Sequence, residues 1–360
     1  MASVRNAKIE LLRILAMVGI VAHHYVVHGG VLTQTESANT AIFLSAFGSL
    51  GKWGVDVFVL VGAWFMVQRP ARGKALSRIY SEVLPVSWLI AALLAVTGAV
   101  ALSTADVREA LLPVIFSEYW FVTAYVLMVL IAPYLAIVLE ALSKQQLARL
   151  LIVGLVMWSL LTLVPRVALG LSDFAWFAFL FLLAGYLRLH GLPGTGRWWG
   201  WATLIATGAL VLAPAAMAAW SSASGSPGDS ARWLKEVASQ TSPLTVAAAV
   251  AILMWATKSA PWRSRAIVYA ASASFGVYLI HDNPLVRRVL WPDVVDTPSA
   301  AGQSWLPLHA IGWTLAVYIA CSIAIFALQP VLLRPMHRLT ESIRRGVEQR
   351  LDRANSGPQP

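Results

Sequence analysis

Five ionisable side chains lie in or beside the first apolar stretch of this chain: Glu10, Arg13, His23, His24 and His28. A charge in hydrocarbon costs roughly 3 kcal/mol or more, so such residues usually face a protein interior or a cavity and serve a task there. Imidazole moves protons near neutral pH. Guanidinium stays charged and forks onto phosphate or carboxylate. Arg13 and His24 are eleven residues apart. On a helix that spacing puts them within about 20° of one another and about 16 Å apart along the axis. Glu10 falls near the same face, and His23 points away from His24. Two readings stand. In one, Glu10 and Arg13 neutralise each other as an i, i+3 pair and His24 packs as a polar core residue. In the other, an elongated ligand lies along this face, with anionic groups at Arg13 and a reactive end at His24.

The elements that must position these residues are set by composition. The chain has 360 residues, of which 58% are hydrophobic and 12% charged. Soluble domains average about 25% charged residues, so lipid is the solvent that fits. A helix needs about 20 apolar residues to cross a hydrocarbon core of about 30 Å. Ten stretches are expected to do so: 9–28, 43–67, 82–102, 119–140, 147–164, 173–189, 198–220, 239–257, 267–287 and 307–333. They lack the alternation of barrel strands. The expected fold is therefore all-α, a polytopic transmembrane helical bundle. A membrane domain is expected over residues 1–335, followed by a basic cytoplasmic tail over 336–360 that is disordered at its end.

The net charge of +10 fits either nucleic acid or a membrane, and its distribution favours the membrane. Arg69, Arg72, Lys74 and Arg78 share one loop, Lys258, Arg263 and Arg265 another, and Arg334 to Arg353 the tail. Positive charge gathers on every second connection, as cytoplasmic loops require. The reading is a multi-pass protein of the inner membrane with both termini cytoplasmic, in contact with lipid and with no nucleic-acid partner. The first helix carries Glu10 and Arg13 and has no small-residue cleavage site, so it is not a removable signal. A single cysteine, Cys321, excludes an intrachain disulfide. His23 and His24 do not share a helical face and no other compact cluster is evident, so no metal site is expected.

Several segments carry a resemblance, and they appear in order. The first is Arg13 and His24 within IELLRILAMVGIVAHHY. GKWGVDVFVLVGAWFM (51–66), KALSRIYSEVLP (74–85), EYWFVTAYVLMVLIAPYL (118–135) and SFGVYLIHDNPLVR (274–287) follow. Together these resemble the acyltransferase 3 family, integral-membrane O-acyltransferases that modify extracytoplasmic sugars. The resemblance spans about residues 5–335. Glu10 stands where the family has Asp. The basic residues of the inner loop are less compact than the family's arginine pair.

The resemblance implies an acyl-CoA donor, usually acetyl-CoA, as co-substrate with no tightly bound cofactor, and a sugar hydroxyl of a glycan as acceptor. His24 is expected to act as the base that takes the hydroxyl proton, by direct transfer or through an acyl-enzyme. Arg13 would hold a phosphate or the pantetheine arm. Arg69, Arg72, Lys74 and Arg78 would attract the nucleotide, or simply mark topology. His281 would bind the acceptor, orient or assist His24, or bridge two helices. Lys52 and Asp56, four apart, would neutralise each other or line the cavity, with Lys52 stabilising an oxyanion. For Tyr119 and Trp120 the ordinary position is the aromatic belt at the outer interface, and sugar stacking is the second use. The competing function is a transporter or flippase of a lipid-linked sugar, whose buried charges would line a pathway. The chain shows no internal repeat of the kind many transporters carry.

Overall fold

The computed structural model describes residues 6–68, 72–161 and 172–355. Among them the chain is all-helical, with no strand. Helix α1 (Ala7–Gly29) starts at Asn6, whose side chain accepts from the Lys8 amide and donates to the Ala256 carbonyl. It ends at Gly30, whose φ of 73° suits a residue without Cβ. Short α2 (Val31–Gln34) and α3 (Ala38–Phe47) lead into α4 (Leu50–Met66). Helices α1 and α4 approach closely, because small residues let backbones meet in lipid. A Cβ added at Gly54 would lie 2.4 Å from the Ala16 carbonyl oxygen.

Then come α5 (Arg72–Thr97), α6 (Thr104–Leu111) and α7 (Trp120–Ala141). The helix α8 (Lys144–Leu155) runs into a π turn at Val156–Leu160. Beyond residue 171 follow α9 (Asp173–His190), α10 (Gly196–Ala223), α11 (Ser230–Val237) and α12 (Pro243–Lys258). Three short helices, α13 (Arg265–Ala271), α14 (Ser274–His281) and α15 (Pro284–Val289), form a broken segment. The last elements are α16 (Thr297–Ala300), α17 (Leu306–Leu328) and α18 (Arg334–Asn355).

Seven segments of the described chain are long and apolar enough to cross a membrane: Ala7–Gly29, Ala38–Met66, Gly73–Thr97, Trp120–Ala141, Asp173–His190, Gly196–Ala223 and Leu306–Arg350. The chain is thus an all-α, multi-pass protein, but the expected count of ten is not reached. The other three segments each depart for a different reason. Helix α12 is apolar but only 16 residues long. The end of the stretch 147–164 lies outside the described residues. The stretch 267–287 is interrupted twice. Pro284 disfavours helical backbone at Asn283, which instead caps α15 by accepting from the Leu285 and Val286 amides.

The segments of α1 and of α3–α4 are the most buried, and α10 and α17 the most exposed. The first helix is therefore the hub, touching α4, α12, α13, α14 and α17. Beyond the bundle, the basic tail is α18, packed along α5. The polar end expected after it, 356–360, lies outside the described residues.

Candidate active site

The break after α14 brings His281 against α1. Nδ1 of His24 lies 3.0 Å from Nε2 of His281, and the rings are 5.0 Å apart. Nδ1 of His281 lies 2.6 Å from the Val277 carbonyl oxygen. A carbonyl only accepts, so His281 donates from Nδ1, and its Nε2 is the acceptor of the neutral ring. His24 therefore donates to it from Nδ1. That leaves Nε2 of His24 with the lone pair, as a base requires. His281 is fully buried, and His24 is only slightly exposed.

Asp282 Oδ1 faces three groups that can carry positive charge: His24 Nδ1 at 3.4 Å, His28 Nε2 at 3.5 Å and Arg287 Nη1 at 3.7 Å. Arg287 Nη1 also donates toward His28 Nε2 at 3.3 Å. The aspartate is nearly inaccessible to solvent and its field falls on His24. His23 turns away, as its position on the helix predicts, and donates from Nδ1 to the Gly48 carbonyl at 2.7 Å. Its ring lies against Gly51, where a Cβ would come within 2.2 Å of His23 Cγ.

These residues open onto a cavity with about 490 Å³ of empty space at the C-terminal end of α1, here the outer chamber, lined by His24, His28, Lys52, Trp120, Asp282 and Arg287 among others. Lys52 Nζ stands 4.2 Å from the centroid of the Trp120 ring, a cation–π contact. Asp56 does not pair with it. Its Oδ1 accepts from Trp176 Nε1 at 3.1 Å, deeper in the bundle. Trp120 is therefore a wall of the cavity. Tyr119 departs from the belt position: it is buried and donates from its hydroxyl to the Leu279 carbonyl at 3.0 Å. Asn283 donates to the same hydroxyl at 2.7 Å and to Glu118 Oε1 at 3.0 Å. A buried polar network needs all its partners, and this one fixes the end of α14.

A second, inner cavity has about 940 Å³ of empty space and is lined by Glu10, Arg13, Arg78, Glu82, Phe121 and Tyr125 among others. Arg13 donates to Glu10 at 2.9 Å, so the i, i+3 pair exists, while the guanidinium still borders the cavity. The two cavities share no lining residue. Between them runs a ring-to-ring series: Phe121 to Tyr278 at 5.5 Å, Tyr278 to His281 at 6.3 Å, then His24. The face shared by Arg13 and His24 is thus divided between an inner and an outer chamber.

Of the described loop cations, Arg78 is placed at a cavity. Lys74 is exposed and lines neither chamber. Arg69 and the side chain of Arg72 lie outside the described residues. His28, Asp282 and Arg287 were not singled out from sequence as site residues. The signal was there for Asp282, which follows His281 directly in the late motif. The absence of any compact ligand set is corrected by the fold: ligand atoms of His24, His28 and Asp282 lie within 4.8 Å of one another. Helix-face arguments see only α1, whereas Asp282 arrives from α14. The Arg287 guanidinium borders the same space and competes with a metal ion for it.

A family model described as an acyltransferase domain matches residues 6–327. Among curated proteins and among solved structures, nothing matched.

Proposed function

The chain belongs to the acyltransferase 3 family and is a membrane acyltransferase, and from that premise we propose that it moves an acyl group, usually acetyl, from acyl-CoA to a sugar hydroxyl. The observation that carries the reading is the oriented pair His24–His281, with the base nitrogen of His24 directed away from its partner. Acyl-CoA enters from the inner chamber, where Arg13 and Arg78 suit its phosphates and pantetheine amides. The glycan acceptor meets the outer chamber, where Trp120 offers a flat apolar face and Lys52 a positive charge.

The step is a direct acyl transfer. His24 Nε2 takes the proton of the sugar hydroxyl as its oxygen attacks the thioester carbonyl carbon. A C–O bond forms, the C–S bond breaks, and the leaving thiolate takes the proton back from the imidazolium. His281 holds the tautomer, and Asp282 favours the transient positive charge on His24. Lys52 stabilises the tetrahedral oxyanion. Among the described lining residues of the outer chamber there is no serine, threonine or cysteine to carry a covalent acyl group, which supports direct transfer. The topology that fits is an inner-membrane protein with α18 and both termini in the cytoplasm.

The test is to incubate purified protein in detergent with labelled acetyl-CoA and acceptor glycans. Parallel mass spectrometry compares surface glycans of cells with and without the protein. Label on the glycan, and O-acetyl groups lost with the protein, are expected. Label that stays on CoA while a lipid-linked sugar crosses vesicles would replace this reading with the flippase.

A further inference from the structure

We infer that Arg334, His337 and Arg338, at the start of α18, join Arg78 of α5 in a cradle for the phosphates of the CoA nucleotide. The inference rests on the acyl-CoA reading of the inner chamber. The three tail residues lie beyond the segment 6–327 that the family model matches, so this contribution belongs to the chain itself.

The observation is a third cavity, of about 890 Å³ of empty space, lined by Arg78, Glu82, Arg334, His337 and Arg338 among others. It shares Arg78, Glu82 and Ser272 with the inner chamber. A ligand seated here therefore adjoins the chamber that Arg13 borders. Its water-accessible volume, about 370 Å³, lies within the roughly 300–1,000 Å³ of small-molecule and cofactor pockets.

Helix α18 is docked along α5, so its exposed cations Arg334, His337 and Arg338 stand at the edge of the cavity. Ser77 Oγ donates to Thr340 Oγ1 at 3.1 Å, and Thr340 Oγ1 donates to the Ser77 carbonyl at 3.1 Å. Ser81 and His337 meet at 3.5 Å. Gly73 permits close approach, since a Cβ there would be 2.9 Å from Glu348 Oε1.

The charges are also sorted. Glu341 is taken by Arg344 at 2.5 Å and Arg345 at 3.5 Å, and Glu348 by Arg344. Among the described residues, Arg334 and Arg338 have no ion-pair partner. They stand four apart, so they repel one another along the helix unless an anion lies between them. Glu82 is the one carboxylate among the described lining residues, and it faces Arg78. CoA carries a diphosphate and a 3′-phosphate, which guanidinium groups grip in forks. Its uncharged arm suits the chamber wall formed by Phe58 and Phe121.

Phosphate could also come from a lipid headgroup, so the experiment separates the two. Labelled acetyl-CoA binding is measured on detergent-purified wild type, on Arg334→Glu with Arg338→Glu, and on the milder Arg334→Gln with Arg338→Gln. Exposed Arg149→Glu on α8, outside the cavity, controls for general surface charge. The expected result is a tenfold or larger loss of affinity in both double variants and none in the control. Adenosine 3′,5′-diphosphate should displace the label from wild type. Unchanged affinity in the double variants, or an equal loss in the control, overturns the cradle. So does displacement by phosphatidylglycerol but not by the nucleotide. A double variant with intact affinity that still transfers acetyl leaves the reading of the inner chamber standing. A wild type that binds no CoA removes both.

Discussion

Lys52 and Asp56 stand one turn apart on α4 and do not pair. Lys52 lies over Trp120 at 4.2 Å, while Asp56 accepts from Trp176 at 3.1 Å. Their separation leaves the ammonium as a cation of the outer chamber, beside Arg287. The variant Lys52→Met keeps the alkyl stem and removes the charge. It is expected to lower kcat about tenfold or more and to leave the KM for acyl-CoA unchanged. Steady-state kinetics with the acceptor saturating checks this, and a shift confined to donor KM would place Lys52 elsewhere in the cycle.

Replacing His24 by Ala removes the proposed base. Transfer should fall about 10²–10⁴-fold while the protein still inserts and elutes as a single species. Glycan acetylation at the wild-type rate in this variant would end the assignment.

For His281→Ala the expectation is different in kind. His24 loses the acceptor of its Nδ1–H and can turn, so kcat falls by roughly 10-fold or more and its pH profile changes shape. Donor KM stays put. A residue that only fills space between α1 and α14 would lower stability without moving the pH profile.

Gly51→Ala tests the contact beneath the site. The added methyl meets the His23 ring at 2.2 Å, and overpacking of this kind costs about 1–3 kcal/mol. The expected outcome is a lower thermal midpoint together with lost transfer, since α1 must move off α4. Pairing it with His23→Ala should recover part of both, measured as a double-mutant cycle.

Outside the membrane, Asp106 of α6 supplies a pH-dependent contact. Arg288 and the Ser103 amide and hydroxyl hold its carboxyl well below the usual carboxylate range. A depressed folded-state pKa gives stability that is present above the unfolded value, about 3.9, and is lost as pH falls through the lower folded one. Arg288 is half exposed, so the contribution is about 1 kcal/mol or less. Asp106→Asn should flatten the acid limb of stability below about pH 4 and leave neutral-pH activity unchanged. An identical acid limb in wild type and variant would contradict the pairing.

Much of this arrangement was legible before any coordinates. The apolar runs gave the helical membrane class, and 3.6-residue periodicity put Arg13 and His24 on one face and His23 on another. What periodicity cannot supply is the third dimension. Asp282 reaches His24 only because Pro284 breaks the ninth apolar stretch, and a hydropathy window averages through that break. Tyr119 reads as a belt residue by depth, yet its hydroxyl is consumed by Leu279 and Asn283. Lys52 and Asp56 read as a pair by spacing, because spacing on one helix says nothing of Trp176 on α9. The tail cations read as topology, since their neighbour Arg78 lies 256 or more positions earlier in the chain.

The aromatic wall of Phe121 and Tyr278 between the two chambers has an electrical consequence. If water fills both chambers, the transmembrane voltage falls mainly across this thin partition. Carrying one elementary charge across it costs about 2.3 kcal/mol per 100 mV. In the proposed reaction an uncharged acyl group would cross without that work, while the charged nucleotide of the proposed donor would stay on the side it entered. On the proposed function, the partition would let a chemical group pass between compartments without opening a path for ions.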